Sequence, residues 1–589
     1  MCGIAGIRDL RGVSRDELRR DALAMSACIQ HRGPDDDGLF VEDGLALAFR
    51  RLAILDLTPA GAQPMHSLSG RYTLIFNGEI YNFERLRAQL PPREWRGHSD
   101  TEVMLACFDE WGVRASVERF IGMFAFALWD RETRALSLVR DRFGVKPLHY
   151  ALRDQRLTFA SELKALPHDG IDVEAAALYA RYGYVPAPWT IYDGIRKLPP
   201  GCILTFTDRI EIERYWDPAA PVSPFDGDER AAIDALEALL DDSVRLRMIS
   251  DVPLGVFLSG GIDSTLVTAL MQRADSAPVK TFTIGFEDRR FDEAADARAL
   301  ARHLGTHHTE HYVTPREALD VIPLLPSMYD EPFADTSAIP TYLVSKLARP
   351  HVTVALSGDG GDELFGGYHR YFLGQRTQAR VARVPRPLRR PLGAALRALR
   401  STRMRGLANA LVQSPEELYD TQMTHFDVRA PRLPSPPDRG AIETMMLLDT
   451  QRYLPDDILT KVDRASMAVS LETREPLLDH RLYAFAASLP LSMKIRDGGG
   501  KWILKEVLRR LVPPALVDRE KSGFGLPVGD WLRGPLRDWS ESLLRDHEEI
   551  FDRKLVQSLW REHLAGRDHQ QLLWTVLMFQ QWNSRIAAP

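Results

Sequence analysis

The pattern of apolar residues changes character near residue 229, and this change constrains the fold more than any other feature of the chain. Before it, the short runs LALAFRRLAIL, YTLIFNG, FAFALWD, ALSLVRD, RLTFASE and CILTFTD are punctuated by turn residues. That rhythm predicts a β-rich unit with a few helices, among them RDELRRDALAMSACIQ and TEVMLACFDEWG. Beyond it the order is the strand LGVFL, the Gly-rich turn SGGIDS, the helix TLVTALMQRA, the strand VKTFTIGF, a helix through ADARALARHLG and the strand VTVAL. Strands alternating with helices predict a parallel α/β sheet. From about Tyr368 the pattern is mostly helical. Between the two rhythms, WDPAAPVSPFDGDE (216–229) is rich in Pro and Asp and has no periodicity, which predicts a linker. The helix after it places Ile233, Leu236, Leu240 and Val244 on one face.

A chain of 589 residues is too long for one core. Its hydrophobic content of 45% and charged content of 26% are those of a soluble globular protein. The net charge of -6 gives no global reason to expect nucleic acid or an anionic membrane as partner. Cys2, Cys28, Cys107 and Cys202 are scattered without a C-x-x-C pair, which argues against a disulfide framework or a zinc cluster and fits a reducing compartment. No basic segment followed by an apolar one marks a signal peptide, and no run of about 18 apolar residues marks a membrane span. The expectation is a cytoplasmic protein. One biased stretch, 376–405, is dense in Arg with Pro and Leu; the acidic overall balance favours a solvated surface over a face for RNA, membrane or partner.

The chain begins MCGIAGI. One reading is a short strand whose Cys is a small buried hydrophobe. The other is that Met1 is removed, so that the Cys2 thiol and its own α-amine sit on one residue. Four stretches accompany it: HRGPDDDG, RRLAILDL, NGEIYN and HSDTEV. Singly, R-G-P-D reads as a turn, N-G as a hairpin turn and S-D-T-E as a helix cap. Together they suggest a site for an amide substrate with an amino-acid backbone. A thiolate attacks the amide carbon, and an α-amine with a pKa of about 7.7–8.0 moves the proton. Asn77 and the Gly78 N–H supply a pair of oxyanion donors. Arg51 suits an α-carboxylate, and Asp100 or Glu79 an α-ammonium. Glutamine fits these demands.

The second candidate site is LSGGIDS (258–264), which follows a strand and opens a helix, so that backbone N–H groups form an anion cradle. It lacks the G-K-[ST] ending of a Walker A loop. Asp263 inside a phosphate cradle makes sense chiefly through a bridging Mg²⁺. A second acidic turn, LSGDGGDE (356–363), offers Asp359 and Asp362 after another strand. Two such loops form a crevice at the carboxyl edge of a parallel sheet, where ligands bind.

On the motifs MCGIAGI, HRGPD, RLAILD, NGEIYN, SDTE, GMFAFALWD and RDRFGVKPLHY, residues 2–216 resemble a class II glutamine amidotransferase domain of the N-terminal-nucleophile hydrolase type. The resemblance implies that Cys2 is the nucleophile, that Asn77 and Gly78 form the oxyanion hole, and that Arg51, Leu52, Ile54, Glu79 and Asp100 also line the glutamine site. Cys28, Cys107 and Cys202 match no motif and are expected to be structural. The segment S-G-G-x-D-S resembles the pyrophosphate loop of ATP pyrophosphatases. Joined to a glutaminase unit, and with TFTIGF, LPDDILTKVDRASMAVSLETREPLLDHRL, GKWILKE and REKSGFGLPVGDWL, the chain resembles glutamine-dependent asparagine synthetases over nearly its whole length.

That resemblance implies two domains of α/β and α+β type. The first is an αββα N-terminal-nucleophile hydrolase sandwich at 2–216. A linker at 217–229 leads to a parallel-sheet α/β ATP-pyrophosphatase (adenine nucleotide alpha hydrolase-like) domain with extra C-terminal helices at 230–589. It also implies that Ser259, Gly260, Gly261, Asp263 and Ser264 bind pyrophosphate, that Leu258, Ile284, Ser357 and Gly358 border AMP, and that Asp263 and Asp362 hold Mg²⁺. Lys501 aligns with a lysine that stabilises the phosphates during adenylation; its other reading is a surface lysine at a helix start. Asp359 stands where well-known asparagine synthetases have Glu, a residue tied to forming β-aspartyl-AMP. The loop DEPFADTSAIPTYL (330–343) lacks an Arg that some of them carry.

The implied substrates are glutamine, aspartate and ATP, with ammonia passed between the sites and a homodimer as the assembly the resemblance allows. The two departures leave open the same machinery acting on another carboxylate, in polysaccharide or natural-product biosynthesis. A β-lactam synthetase-like cyclisation is opposed by Cys2 with Asn77, and a tRNA-binding pyrophosphatase by the glutaminase half.

Overall fold

The computed structural model describes residues 2–286, 288, 290, 292–372, 381, 383–398, 402–435, 439–518, 526–545 and 550–586. Twelve strands build the first unit: β1 (Gly3–Asp9), β2 (Asp36–Glu42), β3 (Leu45–Arg51), β4 (Met65–His66), β5 (Tyr72–Ile80), β6 (Gly122–Asp130), β7 (Ala135–Arg140), β8 (His149–Arg153), β9 (Arg156–Ala160), β10 (Ile195–Lys197), β11 (Cys202–Phe206) and β12 (Ile210–Arg214). They form two six-stranded antiparallel sheets, ordered β10-β8-β9-β1-β3-β2 and β12-β11-β7-β6-β5-β4.

The strand sequences explain the layering. In β6, Phe124, Phe126 and Leu128 pack with the helix Asp100–Arg119, while Ala125, Ala127 and Trp129 join Leu45, Leu47 and Phe49 of β3 between the sheets. In β3 the alternate residues Ala46 and Ala48 face the helix Arg15–Cys28 with Leu18, Ala22 and Met25. A strand covered on both faces needs apolar residues at every position, which is why these runs read as continuous. The result is a helix–sheet–sheet–helix sandwich, as the family resemblance implies. The two outer helices start on serine caps: Ser14 accepts from the Glu17 N–H and Ser99 from the Glu102 N–H.

The second unit holds a five-stranded parallel sheet of β13 (Leu254–Phe257), β14 (Lys280–Phe286), β15 (His307–Val313), β16 (Val354–Leu356) and β17 (Glu472–Arg474), ordered β15-β14-β13-β16-β17. The strand order reverses between β13 and β16, which pair in register Val256↔Leu356. Loops 258–264 and 357–362 leave the carboxyl ends of these two strands, at the switch point where α/β sheets take ligands. Two strands differ from the sequence expectation. HHTEHYV is a polar, half-exposed edge strand with no apolar alternation, and β17 is a three-residue edge strand inside the helical part. Neither is long or apolar enough to show a period.

The later part is otherwise helical. One long helix runs through Ala441–Leu448, a wide i→i+5 stretch Asp449–Ile458 that contains Pro455, and Leu459–Met467. Such wide turns recur at functional sites. The Arg-rich stretch holds the helices Arg386–Ala398 and Thr402–Val412. Its residues 376–380, 382 and 399–401, and the REKSGFG part (519–525) of the late motif, lie outside the described residues. Among the described residues, no helix is long and apolar enough to cross a membrane.

Candidate functional site

Cys2 stands at the mouth of β1; Met1, whose removal would free its amine, lies outside the described residues. The Cys2 N–H donates to Asn77 Oδ1 at 2.9 Å. A nitrogen donor there requires the amide oxygen of Asn77 as acceptor, so Nδ2 is turned away from it. Nδ2 is buried with no hydrogen-bond partner among the described residues, which makes it a ready donor for an oxyanion.

The N-G pair is not a turn, as it would be in a simple hairpin reading. Both residues lie inside β5, and Gly78 has φ +152 with a Cβ position 2.0 Å from the Met123 carbonyl oxygen. Only glycine fits there. Its register partner Phe124 accepts from the Asp141 N–H and donates to the Asp141 carboxylate, so both its backbone groups point toward β7. Gly78 is therefore a non-hydrogen-bonded pair with Phe124, and its N–H points to the open side of β5. The Ile80 N–H, two residues on, points the same way and donates to Asp100 Oδ2 at 2.8 Å.

Burial pushes the Cys2 thiol up, and the charges of Glu472 and Glu79 add to that push. Burial also pushes the Asp100 carboxyl up to about 6 and the Glu79 carboxyl well above its usual range, against the pull of Arg474. A substrate ammonium placed between these two carboxylates would relieve both. Arg51 ends β3 and donates to the Asp56 and Thr58 carbonyls at 2.5 and 3.3 Å. Asp56 in turn accepts from the His98 N–H at 2.9 Å, two residues before Asp100. Leu52 and Ile54 are buried beside them, and the Leu52 carbonyl lies 3.9 Å from Cys2 Sγ. The remaining cysteines carry no such setting: Cys107 and Cys202 are buried and Cys28 is exposed.

In the second centre, Ser259 and Ser264 bond each other at 3.0 Å across the glycine turn, and Gly260 has φ +80. The helix Ile262–Ala274 begins inside this loop, so Asp263 and Ser264 occupy its first turn with N–H groups facing the crevice. A Cβ on Gly358 would stand 2.7 Å from the Ser264 N, and one on Gly361 2.4 Å from an Asp263 carboxylate oxygen. The two loops thus touch through their glycines.

Lys501 does cap the helix Trp502–Arg509, but it is not a surface residue. It is buried, with Nζ paired to Asp263 and, at 2.8 Å, to Asp362. Burial opposes its charge, yet the two carboxylates hold it above the ordinary lysine value. Two carboxylates converging on one cationic point beside a glycine loop with open helix-start N–H groups suit Mg²⁺, which takes one or two carboxylates and completes its shell with phosphate and water. Leu258, Ile284 and Ser357 are buried around the cradle. Burial raises the Asp359 carboxyl, and the Lys461 ammonium is the main charge drawing it back.

Long-range partners complete both centres. Arg474, from β17, lies 3.2 Å from Glu79 and bonds Glu472 at 2.7 Å, while its carbonyl accepts from the Ser357 N–H at 2.9 Å. One residue of the second unit therefore touches both Glu79 and the acidic loop. Arg32 of HRGPD donates through Nε to the Cys2 carbonyl at 3.2 Å and grips Asp463 with two bonds of 2.8 and 2.9 Å. Glu162 joins the seam, accepting from Arg32 at 2.8 Å and pairing with Arg464 and Lys164, each at 2.9 Å. Arg32, Asp463, Arg464 and Arg474 stand in the sequence motifs and Glu162 and Lys164 do not, and no local spacing marks any of these partners.

The asparagine synthase family model matches residues 235–584, and the glutamine amidotransferase domain model residues 1–216. Asparagine synthetase (glutamine-hydrolyzing) 1 of Bacillus subtilis (strain 168) is 32% identical over 615 aligned positions, covering 99% of this chain and 96% of that protein. Asparagine synthetase (glutamine-hydrolyzing) 3 of the same organism is 29% identical, covering 95% of this chain and 93% of that protein. Asparagine synthetase B (glutamine-hydrolyzing) of Escherichia coli (strain K12) is 35% identical over 391 positions, covering 62% of this chain and 65% of that protein.

Proposed function

The chain belongs to the asparagine synthase family, and from that premise we propose that it converts L-aspartate, L-glutamine, ATP and water to L-asparagine, L-glutamate, AMP and diphosphate. Residues 2–216 form the glutaminase, 217–229 the linker and 230–589 the synthetase. Cys2 Sγ attacks the glutamine amide carbon, the free Cys2 amine carries the proton to the leaving ammonia, and water releases glutamate from the γ-glutamyl thioester. The Asn77 Nδ2 and Gly78 N–H hold the oxyanion. Arg51 binds the α-carboxylate, Glu79 and Asp100 bind the α-ammonium, and Leu52 and Ile54 wall the site.

In the synthetase, Ser259, Gly260, Gly261 and Ser264 cradle the pyrophosphate, and Leu258, Ile284, Ser357 and Gly358 border the adenosine monophosphate. Asp263 and Asp362 would hold Mg²⁺, which when bound neutralises charge on the departing diphosphate. Lys501 stabilises the same charge from the protein side. Asp359 faces the β-carboxylate as it becomes an acyl-adenylate, which ammonia then opens with release of AMP.

Ammonia in bulk water is mostly protonated and unreactive, so the reading requires an internal path. A cavity of about 20 Å³ lies at the seam, lined from the helix Leu459–Met467 by Leu459, Thr460 and Asp463, the partner of Arg32, and from the first unit by Arg140 and His149. That volume accepts one water-sized molecule. We take the enzyme to work in the cytoplasm, as a homodimer.

The observation that carries the proposal is that the Cys2–Asn77 pair and the acidic loop after β16 are joined through Arg474, which touches Glu79 on one side and Ser357 on the other. Pure protein given Mg²⁺-ATP, aspartate and glutamine should form asparagine and AMP in equal amounts. Glutamate release without aspartate-dependent AMP would keep the glutaminase and reject aspartate as acceptor.

A further inference from the structure

Next to Asp359 stands a group of charged side chains to which no role has yet been given. Lys461, in the first turn of Leu459–Met467, is buried, and its Nζ donates to Asp335 Oδ2 and to Ser337 Oγ, each at 2.9 Å. Asp335 Oδ1 accepts from the Ser337 N–H and hydroxyl at 2.8 and 2.6 Å. Asp457, from the wide helical turn, adjoins the pair; its residue is 7% exposed and its Oδ1 has no hydrogen-bond partner among the described residues. Two of the three ammonium donors of Lys461 are engaged among the described residues.

We propose that Lys461 and Asp335 are the clamp for the α-amino-acid head of the acceptor, Lys461 with Ser337 taking the α-carboxylate and Asp335 with Asp457 taking the α-ammonium. This rests on the reading of aspartate as acceptor. The argument is one of charge and geometry. A zwitterion carries its two charges on one carbon, and the apo pair presents their two counter-charges at hydrogen-bond distance. Insertion of the zwitterion exchanges one buried ion pair for two, so neither protein charge is left alone.

The electrostatics agree. Burial works to raise the Asp335 carboxyl, but Lys461 and Ser337 hold it down at about 2, so it is an anion ready for an ammonium. Burial and the charge of Asp335 hold the Asp457 carboxyl well above its usual range. The Lys461 charge is also the main one acting on Asp359, which places the clamp beside the loop where the side-chain carboxylate must react. An acid without the amino-acid head would leave Asp335 and Lys461 facing each other and gain nothing from them.

The test uses the full chain with ammonium as nitrogen donor and AMP release as readout. Lys461→Met should raise the KM for aspartate by about thirtyfold or more, the worth of one charged hydrogen-bonded contact. The KM for ATP and the glutaminase rate should stay within about twofold, and Lys461→Arg should recover part of the aspartate affinity. The second acceptor is β-alanine, which lacks the α-carboxylate. Wild-type protein should use it far worse than aspartate, and Lys461→Met should cause no further loss with it. An unchanged aspartate KM in Lys461→Met, or an equal loss with β-alanine, would overturn the clamp while aspartate turnover in wild type upholds the acceptor. No aspartate-dependent AMP from wild-type protein would remove both.

Discussion

Asp463→Asn tests the seam that joins the two centres. Arg32 and Asp463 are 0% and 3% exposed and meet through two short bonds. The substitution keeps the shape, removes the charge and turns an amide N–H₂ toward the guanidinium. Breaking a buried ion pair from one side costs about 3–5 kcal/mol. Here Glu162 still faces Arg32 at 2.8 Å, so the lower end applies, about 3 kcal/mol. For a chain this long the urea slope is at least about 3 kcal/mol/M, which turns that loss into a midpoint shift of up to about 1 M.

The functional effect follows from the bond that Arg32 Nε makes to the Cys2 carbonyl. A loosened seam lets ammonia escape, so glutamate forms in excess over asparagine. Urea unfolding followed by tryptophan fluorescence, and the ratio of glutamate to asparagine, are the two readouts. Replacing both partners, as Arg32→Met with Asp463→Leu, should recover most of the stability but not the ratio. An Asp463→Asn protein with the wild-type midpoint and the wild-type ratio would refute this reasoning.

Three further outcomes are expected. Cys2→Ala should lower the glutaminase rate by about 10⁴-fold or more and leave ammonia-dependent asparagine synthesis within twofold, read by glutamate and asparagine release. Gly78→Ala places a Cβ 2.0 Å from the Met123 carbonyl oxygen, and should cost about 10²–10³ in glutaminase kcat by displacing an oxyanion donor, with synthesis from ammonia retained. Asp100 titrates at about 6, and only its ionised form attracts an ammonium. As pH falls through 6 the carboxylate is neutralised, so kcat/KM for glutamine should fall about tenfold per pH unit below it, an inflection absent from Asp100→Asn.

Much of this molecule is legible in the sequence because its signals are local. The continuous apolar runs of β6 and β3 show strands covered on both faces, and strand–glycine turn–helix at 254–264 shows the loop at the sheet's carboxyl edge. Cys2, Asn77, Gly78 and Asp100 stand in motifs whose chemistry can be argued residue by residue. The illegible part is long-range. Lys461 and Asp335 are 126 residues apart, and Arg32 and Asp463 are 431 apart. No periodicity or spacing relates such pairs; only the packed interface does.

Lys501 shows the same limit in another form. Its local pattern is that of a helix start on a surface, and only the closure of two loops around it makes it a buried cation. The strand β17 escaped notice because three residues cannot display alternation, although Arg474 within it links Glu79 to the acidic loop.

The central claim is that one chain makes ammonia at Cys2 and uses it at the Asp359 loop without releasing it. The most direct measurement supplies amide-¹⁵N-glutamine, aspartate and Mg²⁺-ATP together with unlabelled ammonium in excess, and reads the isotope in the asparagine amide by mass spectrometry. The account predicts asparagine labelled far above the ratio of the mixed nitrogen pools. Asparagine carrying the isotope only at the ratio of the mixed pools would contradict it.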